Sequence, residues 1–295
     1  MSEKTQGEEL IEKLFNNKKN GWESVSEEEG RNIFNYCDGY MKFLNEAKTE
    51  REIVKRATEI AKENGYKEIS EYSTLKAGDK VYYINKGKNL FLAVIGEENI
   101  ENGINIVGSH ADSPRLDLKP NPVYEDHGFA YFKTHYYGGI KKYQWTAIPL
   151  SIHGVVVKTN GEKVEINIGE KDDEPIFTIT DLLPHLAQDQ MGKKLKDGIE
   201  GENLNLLIGS IPYNDEKVSE KVKLNKLNII NRKYGIVEKD FLSAEIELVP
   251  ALKCRSLGFD ESLVVGYGQD DKVCVYTSLT AMLNVQNPKK TAECI

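Results

Sequence analysis

Cysteines are few in this chain, and long apolar runs are missing from it. The 295 residues include four cysteines, Cys37, Cys254, Cys274 and Cys294, which lie far apart and form no CxxC pair. Neither a zinc knuckle nor a disulfide framework is therefore indicated, and a reducing compartment is favoured. No run approaches about 18 apolar residues, and the opening MSEKTQGEEL lacks the apolar segment of a signal peptide. We expect a cytoplasmic protein without a membrane span.

An excess of positive charge is also missing. Lysine and arginine total 39 against 47 aspartates and glutamates, which gives a formal net charge of -8. Nucleic acids and anionic membranes both select a clustered basic face, and the basic runs KKN and KKY are too short to form one. We therefore expect no nucleic acid and no membrane among the main partners.

Apolar residues make up 39% of the chain, and their spacing predicts a mixed α/β fold. From Glu27 to Ala61 they recur at helical spacing. The segment KVYYINKGKNLFLAVIG then reads as a β-hairpin, and INIVG has the short apolar run of a central strand that is covered on both faces. Near the end, an acidic pair leads into a helix that contains Val273 and Leu283, and TAECI starts another strand.

A separate β-rich region is predicted from about residue 120 to residue 238. Pro120 and Pro122 break the preceding pattern, and the residues that follow are rich in aromatic and β-branched side chains. Asn160-Gly161 is a strong signal for a two-residue hairpin turn. Helices are predicted from Asp181 into QDQMGKKL and from about Ser219 to Tyr234. The remaining residues, 1–119 and 239–295, form one discontinuous domain in this interpretation.

His110 and Asp112 are a candidate metal site at the end of the predicted strand INIVG. Zinc prefers imidazole and carboxylate ligands, and a ligating histidine is usually oriented by a carboxylate on its other ring nitrogen. Pro114 favours an extended backbone at Ser113, which would keep both side chains on one side. The alternative is structural: the histidine contacts a neighbour and the aspartate caps a turn. The other histidines of the β-rich region, His127, His135 and His153, are interpreted as surface or satisfied residues.

Asp270-Asp271 is a second candidate for metal binding. Two metal ions about 3.5 to 4 Å apart need an anionic bridge, and an aspartate that leads into a helix can offer both of its oxygens. The alternative is that one of these residues caps the helix, as acids at helix N-termini commonly do. Taken alone, the pair favours the cap, and it becomes a metal candidate only together with His110 and Asp112.

Four motifs in order resemble the aspartyl aminopeptidase family. These are SHADSP from Ser109, HYYGGIKKYQW from His135, LPHLA from Leu183 and GQDDKVC from Gly268. The family consists of dinuclear zinc exopeptidases whose α/β domain has a mixed central sheet with helices on both faces. The resemblance implies that 1–119 and 239–295 form the catalytic domain and that 120–238 form a β-rich insert for dimerisation.

The resemblance also implies roles for individual residues. His110 would bind one metal ion, and Asp112, as part of the catalytic machinery, would orient His110. Asp270 would bridge two zinc ions per subunit, for which Co²⁺ or Mn²⁺ could substitute. The peptide bond from Asp270 to Asp271 would be cis. The partners would be peptide substrates with an acidic or neutral aliphatic first residue, and copies of the same chain in a dodecamer built from dimers. In the family a histidine of the insert reaches a neighbouring active site, but Asp189 stands where that histidine is expected, and His185 is interpreted as packing or capping within the insert.

The sequence departs from the family pattern after TAECI, where the family continues into a Glu-Glu pair that supplies the general base and a metal ligand. We therefore expect either part of a longer protein or a fragment that does not complete its site. A non-catalytic assembly protein and a related metal-dependent deacylase stay open as alternatives. No GxSxG, HExxH or P-loop motif is present to favour another hydrolase or a nucleotide-binding enzyme.

Overall fold

The computed structural model of the protein describes residues 4–16 and 18–295, and the chain divides into two units after Tyr40. The N-terminal unit is helical and contains α1 (Gln6–Leu14) and the first part of α2 (Glu27–Glu46). Thr5 caps α1, because its hydroxyl accepts a hydrogen bond from the Glu8 amide at 3.3 Å while the Glu8 carboxylate accepts one from the Thr5 amide at 2.7 Å.

The second unit contains both large β-sheets and the helices that pack on them. Its helices and strands, in chain order, are α3 (Glu50–Glu63), β1 (Lys67–Glu68), β2 (Lys80–Asn85), β3 (Asn89–Val94), β4 (Asn105–Val107), β5 (Arg115–Asp126), β6 (Phe129–Tyr137), β7 (Leu150–Val157), β8 (Lys163–Ile168), α4 (Gln188–Met191), α5 (Leu195–Gly198), β9 (Leu206–Gly209), α6 (Lys221–Tyr234), β10 (Ala244–Pro250), β11 (Arg255–Leu257), β12 (Leu263–Val265), α7 (Gln269–Leu283) and β13 (Ala292–Cys294). Strands β11 and β12 pair only with each other among the described strands. The predicted mixed α/β class is confirmed.

The first sheet has five strands in the order β1-β2-β3-β13-β4. The pairs β1/β2 and β13/β4 are parallel and the other pairs are antiparallel, so the sheet is mixed. The predicted hairpin of β2 and β3 is confirmed. Helices α3 and α7 pack on this sheet and share one buried core with it. The largest contributors are Phe43, Ile53, Tyr66, Tyr82, Leu92, Val94, Leu279 and Met282.

The second sheet has six antiparallel strands in the order β8-β7-β10-β5-β6-β9. The hairpin predicted at Asn160-Gly161 joins β7 to β8 and is confirmed. Its core is separate from that of the first sheet and includes side chains from α6. Most strands of this sheet come from the predicted insert 120–238, while β5 and β10 continue the sheet on either side of those limits.

The helical segment predicted from Glu27 to Ala61 is confirmed and consists of two helices, α2 and α3, the second of which Thr49 caps. Two local predictions differ from the structure. Residues 181–187 contain no helix before the single turn of α4: Pro184 disfavours helix at the residue before it, and Asp181 accepts hydrogen bonds from the Leu182 amide and the Gln190 side chain. The interpretation of INIVG as a central strand is wrong, since β4 is the outermost strand of its sheet among the described residues and is exposed.

The error at β4 has a physical reason. An apolar run indicates that a strand is suited to burial, but it does not identify the element that covers the strand. The side chains of Ile106 and Val107 are consequently exposed to solvent in the described chain.

Across the ranges 4–16 and 18–295, every helix is too short or too polar to pass through a bilayer.

Candidate metal centre

His110 and Asp112 lie in the loop that connects β4 to β5. The Ser109 amide donates a hydrogen bond to the Ile295 carbonyl at 3.0 Å, which fixes the start of the loop against the end of β13. Because β4 and β13 run parallel, the loop leaves the sheet at the carboxyl ends of two parallel strands. This is the edge at which open α/β sheets bind ligands.

Asp270 and Asp271 lie at the start of α7, and the peptide bond between them is cis, as the resemblance implies. Gly268 precedes them with a φ of 82°, and a Cβ atom at this position would collide with the buried Lys272 side chain. A glycine is therefore required here. The Ser113 hydroxyl donates a hydrogen bond to the Asp270 carbonyl at 2.9 Å, so the two candidate loops are in direct contact.

The two loops meet at the ring of His110. Its Nε2 atom lies 3.6 Å from Asp270 Oδ1 and 3.8 Å from Asp271 Oδ2. On the other side of the ring, Nδ1 lies 3.3 Å from Asp112 Oδ1 and 3.2 Å from the Asp112 carbonyl. The Asp270 side chain is 93% exposed, whereas that of Asp271 is largely covered. One ring nitrogen therefore faces a single orienting residue, and the other faces an open pair of carboxylates.

Asp112 is held from a second direction by Tyr137, the last residue of β6. The Tyr137 hydroxyl donates a hydrogen bond to Asp112 Oδ2 at 2.8 Å. Partial burial opposes ionisation of Asp112, but the hydrogen bond from Tyr137 and the nearby His110 ring outweigh it and lower the pKa of Asp112. The same hydrogen bond raises the pKa of Tyr137, so the phenol keeps its proton and remains a donor.

A cavity of about 390 Å³ opens beside the His110 loop. Helices α3 and α7 and strand β3 supply its apolar walls, and charged side chains lie at its rim. The apolar residues that line it include Ile53, Val54, Ala57, Leu90, Leu92, Val275 and Leu279. A ligand bound at His110 would therefore have apolar surface within reach.

Three carboxyl groups meet near this cavity, and basic side chains lie against all of them. Glu50, Glu245 and Glu247 approach closely enough for one oxygen of each to share an ion. Lys88 Nζ lies 2.6 Å from Glu245 and 3.3 Å from Glu50, while Arg115 lies 3.4 Å from Glu50 and 3.2 Å from Glu247. Burial, reinforced by the charge of Glu50, raises the pKa of Glu247 to about 8. We interpret this group as an ion-pair cluster and not as a metal site.

His153 on β7 is the centre of another polar group, and its side chain is almost completely buried. Nδ1 lies 2.7 Å from Glu52 Oε1, and Nε2 lies 3.0 Å from Glu170 Oε1, which also accepts a hydrogen bond from Lys48 at 2.8 Å. Burial opposes protonation of the ring, but the two carboxylates outweigh it and raise the pKa of His153 to about 9. The prediction that His153 is a satisfied residue is confirmed.

The structure brings together the three residues that the sequence singled out, His110, Asp112 and Asp270. Sequence reasoning did not identify Tyr137 as a neighbour of Asp112, because that contact depends on the pairing of β6 with β5, in which Tyr137 lies opposite Arg115. The strong hairpin signals were elsewhere, so no local pattern could have revealed it. His185 and Asp189 are both exposed; His185 lies just before α4, and Asp189 lies within it.

The fold is of the zinc exopeptidase type, as a comparison with solved structures shows. The crystal structure of an M18 family aminopeptidase from Thermotoga maritima matches with a TM-score of 0.88 and 46% sequence identity, over 94% of this chain and 60% of that one. A probable M18 family aminopeptidase 1 from Clostridium acetobutylicum is 50% identical over 282 residues, which are 94% of this chain and 61% of that protein.

The family follows from a match over most of the chain. The family model described as aminopeptidase I zinc metalloprotease (M18) matches residues 43–294. The chain belongs to this family, and it spans about three-fifths of the length of the relatives that it matches. The mature Ape1 dodecamer of S. cerevisiae, at 19% identity and a TM-score of 0.66 over 89% of this chain and 60% of that one, shares the fold.

Proposed function

We propose that the protein acts as a metal-dependent aminopeptidase in which His110 and Asp270 bind zinc and Asp112 orients His110. The observation that carries this proposal is the distance of 3.6 Å between His110 Nε2 and Asp270 Oδ1. Two ligand atoms of one tetrahedral zinc ion, each bonded at about 2.0 to 2.2 Å, are about 3.4 Å apart. The spacing of these two atoms therefore fits a shared ion.

The chemistry of the donor set also fits zinc. An imidazole nitrogen and carboxylate oxygens are zinc ligands, and Asp112 occupies the other imidazole nitrogen, as is usual for a ligating histidine. Within residues 4–16 and 18–295, the carboxylates of Asp270 and Asp271 lie within 4 Å of the His110 ring and of no lysine or arginine nitrogen. Their charge is left for a cation from solution, in contrast to the cluster around Glu50.

We assign to Asp270 the bridge between two zinc ions, for which Co²⁺ or Mn²⁺ could substitute. Its side chain is 93% exposed, and its backbone carbonyl accepts a hydrogen bond from the Ser113 hydroxyl. When bound, such a metal pair supplies a Lewis acid and a water molecule of lowered pKa. In this assignment Asp112 accepts the Nδ1 proton of His110, which directs the Nε2 lone pair to the metal side.

For the substrate we propose peptides with a free amino terminus and a neutral aliphatic first residue. The walls of the neighbouring cavity support this choice, since they are formed by Ile53, Leu92 and Leu279 among others. The rim lysine, Lys88, is already paired with Glu50 and Glu245 and is therefore not free to attract an acidic side chain. An acidic first residue is the weaker candidate for this reason.

We propose a homo-oligomer, a dodecamer built from dimers, in which the insert 120–238 provides contacts between copies and 1–119 with 239–295 form the catalytic domain. The dodecamer of yeast Ape1, which shares the fold, supports this assembly. Leu182, Leu183 and Leu186 are exposed within the insert and offer apolar surface for such contacts. Light scattering on the purified protein would test this, and a monomer at micromolar concentration would contradict it.

We also propose a cytoplasmic location. All four cysteines are unpaired, which fits a reducing compartment. Reaction of the freshly isolated protein with a thiol reagent should therefore label the exposed Cys274 without prior reduction.

The activity is tested with paired substrates and one pair of variants. Leucyl and aspartyl nitroanilides should be compared with their N-acetylated forms, before and after removal of metal by a chelator. We expect hydrolysis only of the free-amine substrates, with leucyl preferred, lost on chelation and restored by Zn²⁺. Asp270→Ala should abolish hydrolysis, whereas Asp260→Ala, a change at an exposed loop residue, should not.

Each other outcome assigns a different function. Turnover of the N-acetylated substrates alone would indicate a deacylase. Binding of zinc without turnover of either set would favour a non-catalytic assembly protein or a chain that does not complete its site. Hydrolysis that survives in Asp270→Ala would contradict the assignment of the bridging residue.

A further inference from the structure

Tyr137 makes a contact at the candidate metal centre that neither the motifs nor the family match assigns. Asp112 divides its two carboxylate oxygens between two partners: Oδ1 lies 3.3 Å from His110 Nδ1, and Oδ2 accepts the Tyr137 hydroxyl at 2.8 Å. A carboxylate with one partner can rotate about its Cβ–Cγ bond, whereas one with a partner on each oxygen is fixed. The Tyr137 hydroxyl therefore influences the orientation of the His110 ring through Asp112, without contacting His110 itself.

The ring of Tyr137 is itself held in place. The Arg115 guanidinium lies 4.3 Å from the ring centroid, and Arg115 is opposite Tyr137 in the pairing of β5 and β6. Arg115 is buried and anchored by Asp117 at 2.8 Å and Glu247 at 3.2 Å. The pairing of β5 with β6 and the contact with Arg115 thus fix the position of the Tyr137 hydroxyl.

The glycine that follows Tyr137 fits this arrangement. Gly138 has a φ of 74°, and a Cβ atom there would approach Pro114 to 3.3 Å, closer than ordinary van der Waals contact. Another residue at this position would push the end of β6 away from the loop that contains Asp112. Tyr137 and Gly138 of the YGG motif therefore have a local function: they let β6 end in contact with the SHADSP loop.

We infer that Tyr137 is a positioning residue for the metal centre, because its hydroxyl holds the Asp112 carboxylate in the orientation that accepts the Nδ1 proton of His110. The inference rests on the proposed function, since it assigns Tyr137 a role in metal binding. It also makes the six-stranded sheet part of the site: β6 contributes to metal binding from outside the sheet that carries His110.

The expected effect is moderate. Residues that orient a metal ligand typically contribute 10- to 100-fold to metal affinity. The Asp112 carbonyl, 3.2 Å from Nδ1, would still accept the proton if the carboxylate turned away. We therefore expect Tyr137→Phe to weaken Zn²⁺ binding about tenfold, at the lower end of that range.

The matched control is Tyr136→Phe. Tyr136 is the preceding residue on β6, and side chains alternate between the two faces of a strand, so its hydroxyl points away from Asp112. Both variants remove one phenolic oxygen from the same strand. Zn²⁺ affinity of the 295-residue chain, measured by competition with a chromophoric chelator, should fall in Tyr137→Phe and remain at the wild-type value in Tyr136→Phe.

A second readout requires no metal. In the metal-free chain with ¹⁵N-labelled histidine, the His110 signal is identified by its loss in His110→Gln, at an alkaline pH where an ordinary imidazole is neutral. We expect the wild-type Nδ1 to carry the proton, and the Tyr137→Phe signals to move only part of the way toward an average of the two tautomers, because the Asp112 carbonyl still accepts the Nδ1 proton in part of the molecules. Circular dichroism confirms that each variant is folded.

The outcomes separate the inference from the proposed function. If both readouts are the same in Tyr137→Phe and Tyr136→Phe, Tyr137 is not a positioning residue, whatever the zinc affinity of the wild type. If His110→Gln binds Zn²⁺ as well as the wild type, the metal site is wrong, and the tautomer measurement still decides whether Tyr137 orients His110.

Discussion

His110 and His153 have similar partners in very different surroundings. Each ring has carboxylates at both nitrogens. At His153 the two distances are 2.7 and 3.0 Å, and the ring is buried. At His110 the acids facing Nε2 are 3.6 and 3.8 Å away, and the side chain is 57% exposed. The first distances are hydrogen-bond lengths, and the second are longer than a hydrogen bond permits.

The difference indicates what each histidine holds. A proton between nitrogen and oxygen closes the distance to about 2.7 to 3.2 Å, whereas two atoms that share a metal ion stay about 3.4 Å apart. The surrounding charge points the same way. Lys48 joins Glu170 beside His153, while the described part of the chain places no lysine or arginine against Asp270. His153 is a structural ion-pair centre, and His110 has the geometry expected of a metal ligand.

The largest effect should come from replacing the buried histidine. His153→Gln leaves Glu52 and Glu170 without the imidazolium, and breaking a buried ion pair costs about 3 to 5 kcal/mol. The free energy of unfolding from urea denaturation should fall by that order. In the control His127→Gln, where the ring is exposed beside Asp126, the change should be below about 0.5 kcal/mol. Equal losses in the two variants would contradict the structural role of His153.

The raised pKa of His153 also predicts how stability depends on pH. With a pKa of about 9 in the folded protein and 6.5 as the ordinary value, the ring contributes fully below pH 6.5, and the contribution is lost as pH rises through 9. Glu170 has the opposite dependence: its pKa, lowered to about 2, gives a contribution above pH 4.5 that disappears in strong acid. At 1.36 kcal/mol per pKa unit, the alkaline loss is about 3 kcal/mol.

The comparison that isolates this effect is the difference between the wild-type and His153→Gln curves of unfolding free energy against pH. Glu247, whose pKa is raised to about 8, titrates in the same range but is present in both proteins, so its contribution cancels. We expect the difference to shrink between pH 6.5 and 9. A difference that stays constant across this range would show that His153 is not protonated in the folded state.

The two histidines also show how much the sequence could predict. His110, Asp112 and Asp270 were found because each lies at the end of a recognisable element and in a motif. The hairpins β2–β3 and β7–β8 were found because their turn residues are adjacent in sequence. By contrast, the partners of His153 come from α3 and from the loop after β8, and no local pattern brings such distant residues together.

The same limit explains the errors within the fold. The helix predicted from Asp181 does not form there, because the Asp181 side chain accepts hydrogen bonds from the Leu182 amide and the Gln190 side chain, and that second contact is not visible in a local pattern. The apolar run INIVG predicted burial for β4, since periodicity describes the strand and not its neighbours. Contacts such as that of Tyr137 with Asp112 depend on strand register, which is determined by the packing of the whole sheet.

Stabilisation by added zinc should depend on His110 and not on His153. A ligand present at 100 times its Kd stabilises the folded protein by about 2.7 kcal/mol. We expect this increase in the wild type and in His153→Gln, but not in His110→Gln. Urea denaturation with and without Zn²⁺ measures it, and Mg²⁺, which prefers an octahedral set of oxygen ligands, serves as the metal control. Equal stabilisation of His110→Gln by zinc would place the metal elsewhere.

The smallest change in stability is expected for an exposed ion pair, Lys55 with Glu165, whose distance is similar to that of the buried pair beside His153. Lys55 on α3 lies 3.0 Å from Glu165 on β8, with side chains 61% and 76% exposed, while Lys48 and Glu170 are 2.8 Å apart and largely buried. Because water screens the first pair, Lys55→Ala should cost less than about 0.5 kcal/mol, and added salt should remove that loss. A loss as large as that of His153→Gln would mean that distance, and not burial, determines the strength of these contacts.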